Sequence, residues 1–359
     1  MSLPEILDLT KQLIAFRSTA DNPAQRAACA EAVAAYLEDA GIACESLENQ
    51  GVHSIVALPE PGRTRVLLLA HMDVVAAPDA LFTPVERDGQ LYGRGAVDDK
   101  YAVALALVLM KKHLARLRSS GKAQADLPFG LLITGDEEQG GRLGAQEALK
   151  HIRAEFCIAL DGGGLETIVV KEKGVLRLRL AAHGQAAHGA RPWMGDNAID
   201  TLVDDIAALR PLFALDAPEH WNRTMNVGVI HGGEVVNMVP AEAYARLDIR
   251  YTENDDPQAL LADIRALAKS EVILERHDTM FDSGASPLLD KLLAFAPQAR
   301  PGKAHGASDA RFLSAQGIPG VVWGADGDSS QHSENEHLNV DSLKALHRCL
   351  DGYLKALGE

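Results

Sequence analysis

Cysteine is scarce in this chain. The four residues present, Cys29, Cys44, Cys157 and Cys349, lie far apart and form no CxxC pair, which argues against a disulfide framework and against a thiolate zinc site. A reducing cytoplasm fits that usage. Positive charge is also short: 35 Lys and Arg face 50 Asp and Glu, a formal charge of −15. No nucleic-acid partner and no anionic membrane surface is expected, since both need clustered cations. No stretch of about twenty uninterrupted apolar residues occurs, so no membrane span is expected. The opening MSLPEILDLTKQLIAF is amphipathic and acidic, without the basic start and cleavage site of a secretory signal. Two signatures are missing as well. GxSxG is absent, and GRGAVDD lacks the GxGxxG spacing of a dinucleotide turn.

At 359 residues the chain exceeds the size at which one core usually stops growing, which predicts two domains. Hydrophobic residues at 47% and charged residues at 24% are ordinary for a globular protein. Helical periodicity marks residues 4–17 and 25–40, the second stopped by Gly41. Strands are expected at 42–45, 54–58 and 65–70, the last (VLLLA) apolar throughout, as a strand covered on both faces should be. A helix expected over about 100–117, FGLLIT leading into GDEE, a helix near Ala145, and FCIAL leading into DGGG continue the alternation. The implied fold class is α/β, a mostly parallel sheet flanked by helices, with ligands bound beyond the carboxyl ends of the strands. From Gly174 the order becomes β-α-β-β-α-β, that of a ferredoxin-like sandwich. It predicts an inserted ferredoxin-like α+β domain over residues 174–281 within a first domain formed by residues 1–173 and 282–359.

Five segments end or interrupt an apolar run with a metal-preferring side chain: His71 with Asp73, Asp98 with Asp99, Glu137 with Glu138, Asp161, and His332. Together they describe a carboxylate-bridged two-metal site. Two divalent ions about 3.5 to 4 Å apart repel, so such a site needs a bridging anion and further ligands on each side. Carboxylates and imidazoles suit zinc in that role. Asp98 is the expected bridge, with His71 and His332 serving one ion each, Asp161 completing one shell and Glu138 the other. Asp73, two residues beyond His71 on the same side of an extended chain, is placed to accept the other ring N–H and fix the tautomer. Glu137 remains as the general base that a hydrolase needs to move a proton from water to the leaving nitrogen. Plainer readings compete. Glu137 and Glu138 also suit a helix N-terminus, Asp98 and Asp99 a helix cap, and Asp161 a turn. His337 and Glu336 stand beside His332 as alternative ligands.

The segments LLLAHMDVV, LYGRGAVDDK, TGDEEQGG, GGEVVNMVP, GASDARF and QHSENE follow one another in the order of a known family. Over nearly its whole length the chain resembles the two-zinc metallopeptidases and deacylases that include aminoacylase, acetylornithine deacetylase, succinyl-diaminopimelate desuccinylase, carnosinase and peptidase T. The resemblance implies His71, Asp98, Glu138, Asp161 and His332 as ligands of two divalent ions, zinc or in its place manganese or cobalt. It selects His332 over its neighbours, makes Asp73 the orienter and Glu137 the base, and implies a cis Asp98–Asp99 peptide. AAHGARPWMGDNAI is similar to the family's lid motif. His188, Asn237 and Arg250 are then implied as substrate-binding residues, Arg250 as a carboxylate clamp, and the inserted domain as the lid and dimerisation domain of a homodimer.

The reading that follows is a two-zinc hydrolase that cleaves the amide bond of a small peptide or N-acyl amino acid. Members that remove acyl groups commonly carry Glu where this chain has Asp161, and ALDGGG resembles peptidase T more than the desuccinylases, which favours a dipeptidase or aminopeptidase. An N-acyl-amino-acid deacylase is the alternative, and a silent amino-acid-binding relative the remote one. The intact pairing of base and ligands opposes the last.

Overall fold

The computed structural model describes residues 2–162, 164–213 and 220–358. The chain forms two compact units: residues 1–171, 281–303 and 308–359 make one, and residues 172–280 with 304–307 the other. The second unit therefore interrupts the first, and the four residues 304–307 belong to it as well.

The first unit is built on a nine-stranded sheet. Its strand order is Glu45–Asn49, Val52–Ala57, Phe129–Thr134, Arg63–His71, Arg153–Ala159, Gly320–Val322, Thr167–Glu172 and Phe281–Asp282, with Arg300–Ala304 also paired to Thr167–Glu172. The central pairings, Arg63–His71 with Phe129–Thr134 and Arg153–Ala159, and Arg153–Ala159 with Gly320–Val322, are parallel. The first two strands and the far side run antiparallel. The central strands are closed to water on both faces, with Val66, Leu67, Leu68, Leu131 and Leu132 all at 0% exposure, as uninterrupted apolar runs require. Helix Lys100–Ser119 is buried around nearly its whole first half, from Lys100 to Met110, because it lies inside the helical layer. Helix Pro23–Asp39 starts with Pro at its first position and the Asn22 side chain accepting the Gln25 N–H.

One strand lies elsewhere than expected. Pairing begins at Glu45 and not at Ile42. Ile42 is buried in the core, and the Gln124 side chain accepts the Ala43 N–H at 2.8 Å and donates to its carbonyl at 2.9 Å. A side chain takes the place of the ladder there.

The second unit is a four-stranded antiparallel sheet in the order Thr224–Gly232, Glu242–Tyr251, Gly174–His183, Glu271–Asp278, with helices Ala198–Leu209 and Pro257–Leu267. That order is the one a ferredoxin-like β-α-β-β-α-β chain produces. Along Glu242–Tyr251 the residues Ala243, Ala245, Leu247, Ile249 and Tyr251 are buried in a cluster with both helices, so Tyr244, Arg246, Asp248 and Arg250 occupy the other face. Among the described residues no helix is long and apolar enough to cross a membrane.

Candidate metal centre

Three neighbouring parallel strands deliver acidic and imidazole groups to one rim of the first unit. His71 is the last residue of its strand, Glu137 and Glu138 begin a short turn of 3-10 helix after Phe129–Thr134, and Asp161 follows Arg153–Ala159 by two positions. Asp98 arrives from the loop before helix Lys100–Ser119, joined to Asp99 by a cis peptide, and His332 from the long loop after Gly320–Val322.

Asp98 is the junction. Its Oδ1 lies 2.9 Å from His71 Nε2 and its Oδ2 lies 3.0 Å from His332 Nε2, which is itself 3.2 Å from Glu138 Oε1. Two donor clusters result, His71–Asp98–Asp161 and Asp98–Glu138–His332, each with its ligand atoms within 4.8 Å of one another. The electrostatics are those of a carboxylate set short of positive charge. Burial drives the Asp161 carboxyl well above the ordinary range, and the neighbouring Asp98 charge adds to it. Burial likewise raises Glu137, helped by Asp309. Burial alone would depress His71, but contacts with Asp73 and Asp98 and the charge of Asp161 hold its imidazole well above the usual value. Asp98 and Glu138 push His332 up to about 10. Glu138 Oε1 is buried and accepts no hydrogen bond. Divalent cations held by oxygen and imidazole nitrogen fit this donor set, since they supply the charge that three converging carboxylates call for.

The supporting shell was only partly visible in the sequence. Asp73 does sit against His71, but Nδ1 is nearer the Asp73 main-chain carbonyl, 3.0 Å, than its carboxylate Oδ1, 3.4 Å. Asp99 occupies the cap position of the following helix, yet its side chain makes no cap bond and accepts the His71 N–H at 3.2 Å instead. Asp136, missed in the sequence, accepts the N–H groups of Leu143 and Gly144 at 2.8 and 2.9 Å and shapes the loop that carries the two glutamates. Arg311 of GASDARF lies 3.8 Å from Glu137, and Asp309 accepts the Thr134 hydroxyl at 3.0 Å. Gly141 of TGDEEQGG has φ +64, and a Cβ there would stand 1.9 Å from Asp309 Oδ1.

The alternatives to His332 are engaged elsewhere. Glu336, at 0% exposure, pairs with Arg94 and accepts the Gly95 N–H at 2.8 Å. His337 binds the Asn335 carbonyl and Asp328. Arg94 also donates to the His332 carbonyl at 3.1 Å, and the buried Lys100 ammonium donates to the Leu13 and Phe16 carbonyls at 2.8 and 2.6 Å. These tethers hold the GRGAVDDK loop and the loop of His332.

In the second unit His188 is exposed, its Nδ1 accepting the Ala190 N–H at 3.0 Å. The short strands Ala187–His188 and Met238–Val239 pair, and the Asn237 carbonyl accepts the Gly189 N–H at 2.7 Å, so His188 and Asn237 are neighbours. Arg250 stands apart on the long strand, and its Nε donates to Asp248 at 2.6 Å. The expected carboxylate clamp is thus occupied by an internal carboxylate.

The sequence profile of peptidase family M20/M25/M40 matches residues 67–356. The chain is 30% identical over 378 aligned positions to the succinyl-diaminopimelate desuccinylase of Stenotrophomonas maltophilia, covering 95% of this chain and 96% of that one. It is 32% identical to the enzyme of the same name from Gluconacetobacter diazotrophicus, over 80% of each chain. In fold it is similar to a tripeptidase of Staphylococcus aureus, TM-score 0.82 at 21% identity over 99% of this chain and 98% of that one. Aminopeptidase PepT of Bacillus cereus aligns with TM-score 0.78 at 20% identity over 99% of both. With two imidazole–carboxylate clusters meeting at Asp98 and a profile match over most of its length, this chain belongs to peptidase family M20/M25/M40, a family of metal-dependent hydrolases.

Proposed function

We propose that this protein hydrolyses the amide bond of small amino-acid-derived substrates at a two-metal site. One ion would be held by His71, Asp98 and Asp161 and the other by Asp98, Glu138 and His332, with zinc the natural choice and manganese or cobalt within the reach of the same donors. The observation that carries this reading is Asp98, whose two oxygens each touch the histidine of a different cluster. When bound, the ions supply Lewis acidity toward the scissile carbonyl and toward water. Glu137 is the proton carrier. Its side chain, 12% exposed beside Arg311, belongs to neither donor cluster, so it is free to take a proton from the attacking water and deliver it to the leaving nitrogen. Asp73 holds His71 with Nε2 toward the cluster. From the second unit His188 and Asn237 bind the substrate carbonyl side, and Arg250 takes a substrate carboxylate once Asp248 releases it. That unit also forms the homodimer contact. A reducing cytoplasm is the proposed compartment, on the scarcity of cysteine.

Asp161, the shorter acid, favours a dipeptidase or aminopeptidase. A specific finding favours the second reading, an N-acyl-amino-acid deacylase: curated relatives at 29–32% identity are named succinyl-diaminopimelate desuccinylase. Assaying the metal-loaded protein against dipeptides, tripeptides and acetyl- and succinyl-amino acids separates the two, and no turnover of any would leave the silent relative. Glu137→Ala should lower kcat by about a hundredfold or more, the usual share of a general base, with metal content still near two per chain. Retention of most activity would remove Glu137 from this role.

A further inference from the structure

His71 has two ring nitrogens and both are occupied. Nε2 faces Asp98, and Nδ1 lies 3.0 Å from the main-chain carbonyl of Asp73. A carbonyl only accepts, so Nδ1 is the nitrogen that carries a proton toward Asp73. The main-chain carbonyl is thus a nearer partner of Nδ1 than the Asp73 carboxylate, whose Oδ1 is 3.4 Å away.

The Asp73 carboxylate, at 1% exposure, is engaged elsewhere. Its Oδ1 accepts the Glu137 N–H and its Oδ2 the Glu138 N–H, each at 3.1 Å. These are the first free amides of the turn Glu137–Gln139, whose own cap residue, Asp136, makes no cap bond because its oxygens serve Leu143 and Gly144. An acid from a distant segment supplies the cap that the turn lacks. Two oxygens on two successive amides fix both the position and the rotation of the peptide between them, and from that peptide Glu137 and Glu138 project.

We propose that Asp73 is a positioning residue for the Glu137–Glu138 pair, so that it governs the Asp98–Glu138–His332 cluster as well as the His71 cluster. The inference rests on the two-ion reading above. Asp73→Asn tests it, because the main-chain carbonyl that fixes His71 survives the change. Asn keeps one acceptor and turns an NH2 toward the other amide.

Zinc binding to metal-stripped wild type, H71A, E138Q and D73N is measured by competition with a chromophoric chelator at one pH. H71A and E138Q identify which affinity class belongs to which cluster. D73N should weaken the class that E138Q weakens by roughly ten- to a hundredfold, the range for losing an outer ligand support. In an E138Q background it should add nothing to that class, since the effect runs through Glu138. If D73N weakens only the class lost in H71A, or neither, the proposal is overturned while the two-ion reading stands. A wild type that binds one ion, or that H71A and E138Q leave unchanged, removes the two-ion reading itself. Should D73N fail to regain its circular dichroism after stripping, Asp73→Glu carries the same comparison with the charge kept, and wild-type affinity in both classes would then refute the positioning role.

Discussion

Removing a single oxygen atom from Tyr101 should destabilise the first unit by about 2–4 kcal/mol. Tyr101 has 0% exposure and lies one residue past Lys100 in the first turn of helix Lys100–Ser119. Its hydroxyl donates to the Leu160 carbonyl at 2.7 Å and accepts the Ala325 N–H at 2.8 Å. One oxygen thus joins the ends of two neighbouring parallel strands, just before Asp161 and ahead of the loop of His332. Tyr101→Phe keeps the ring and its packing but strands a buried carbonyl and a buried amide, each costing on the order of 1–3 kcal/mol. The vacated space is one oxygen atom, below the volume a water needs, so no solvent molecule restores the bridge. Some relaxation of the two loops keeps the sum under the simple maximum. Urea unfolding of metal-stripped wild type and Y101F at one pH measures it, read by emission of Trp323, which is buried in this unit with its Nε1 donating to the Leu165 carbonyl. The midpoint should fall with an unchanged slope. A loss under about 0.5 kcal/mol would show that neither group depends on the hydroxyl, and the bridging argument would fail.

Two further outcomes follow from the same shell and its surroundings. Gly141→Ala places a Cβ 1.9 Å from Asp309 Oδ1 at φ +64; the turn bearing Glu137 must shift, so kcat should fall at least tenfold, with a stability loss of about 1–2 kcal/mol from the left-handed backbone alone; wild-type kcat would contradict it. His113 offers a pH effect. Burial, with the charge of Arg116, pushes its imidazole from 6.5 down to about 4 although Asp351 is 2.9 Å away. Between those values the unfolded chain binds a proton that the native protein refuses, so this contribution is complete above about pH 6.5 and lost as pH falls toward 4, by up to about 3 kcal/mol. His113→Gln should flatten the stability–pH curve in that window, and an unaltered slope would refute the assignment.

The sequence revealed what depends on residue type and strand order. His71, Asp98, Glu137, Glu138 and Asp161 were legible because a metal-preferring group after an apolar run has few equivalents. The alternating first unit and the β-α-β-β-α-β insert were legible because their periodicities differ. What stayed hidden depends on pairing across the chain. His332, Glu336 and His337 are chemically interchangeable as ligand candidates within six positions; the family resemblance alone selects His332, and the partners Arg94 and Asp328 show how the other two are engaged. Asp73 holding the amides of Glu137 and Glu138 involves main-chain partners, which leave no mark in composition or spacing. The onset of the first strand was missed for a related reason, since Gln124 replaces a ladder partner from 81 residues away.

The interruption of the first unit by the second has a consequence for synthesis. His71, Asp98 and Asp161 all precede residue 172, where the other unit begins, whereas His332 follows its close. A nascent chain paused anywhere in between possesses one complete trio of donors and an unfinished one. On the two-ion reading, the order in which the ribosome releases residues is the order in which the two donor sets are completed, first the one beside His71 and last the one beside His332.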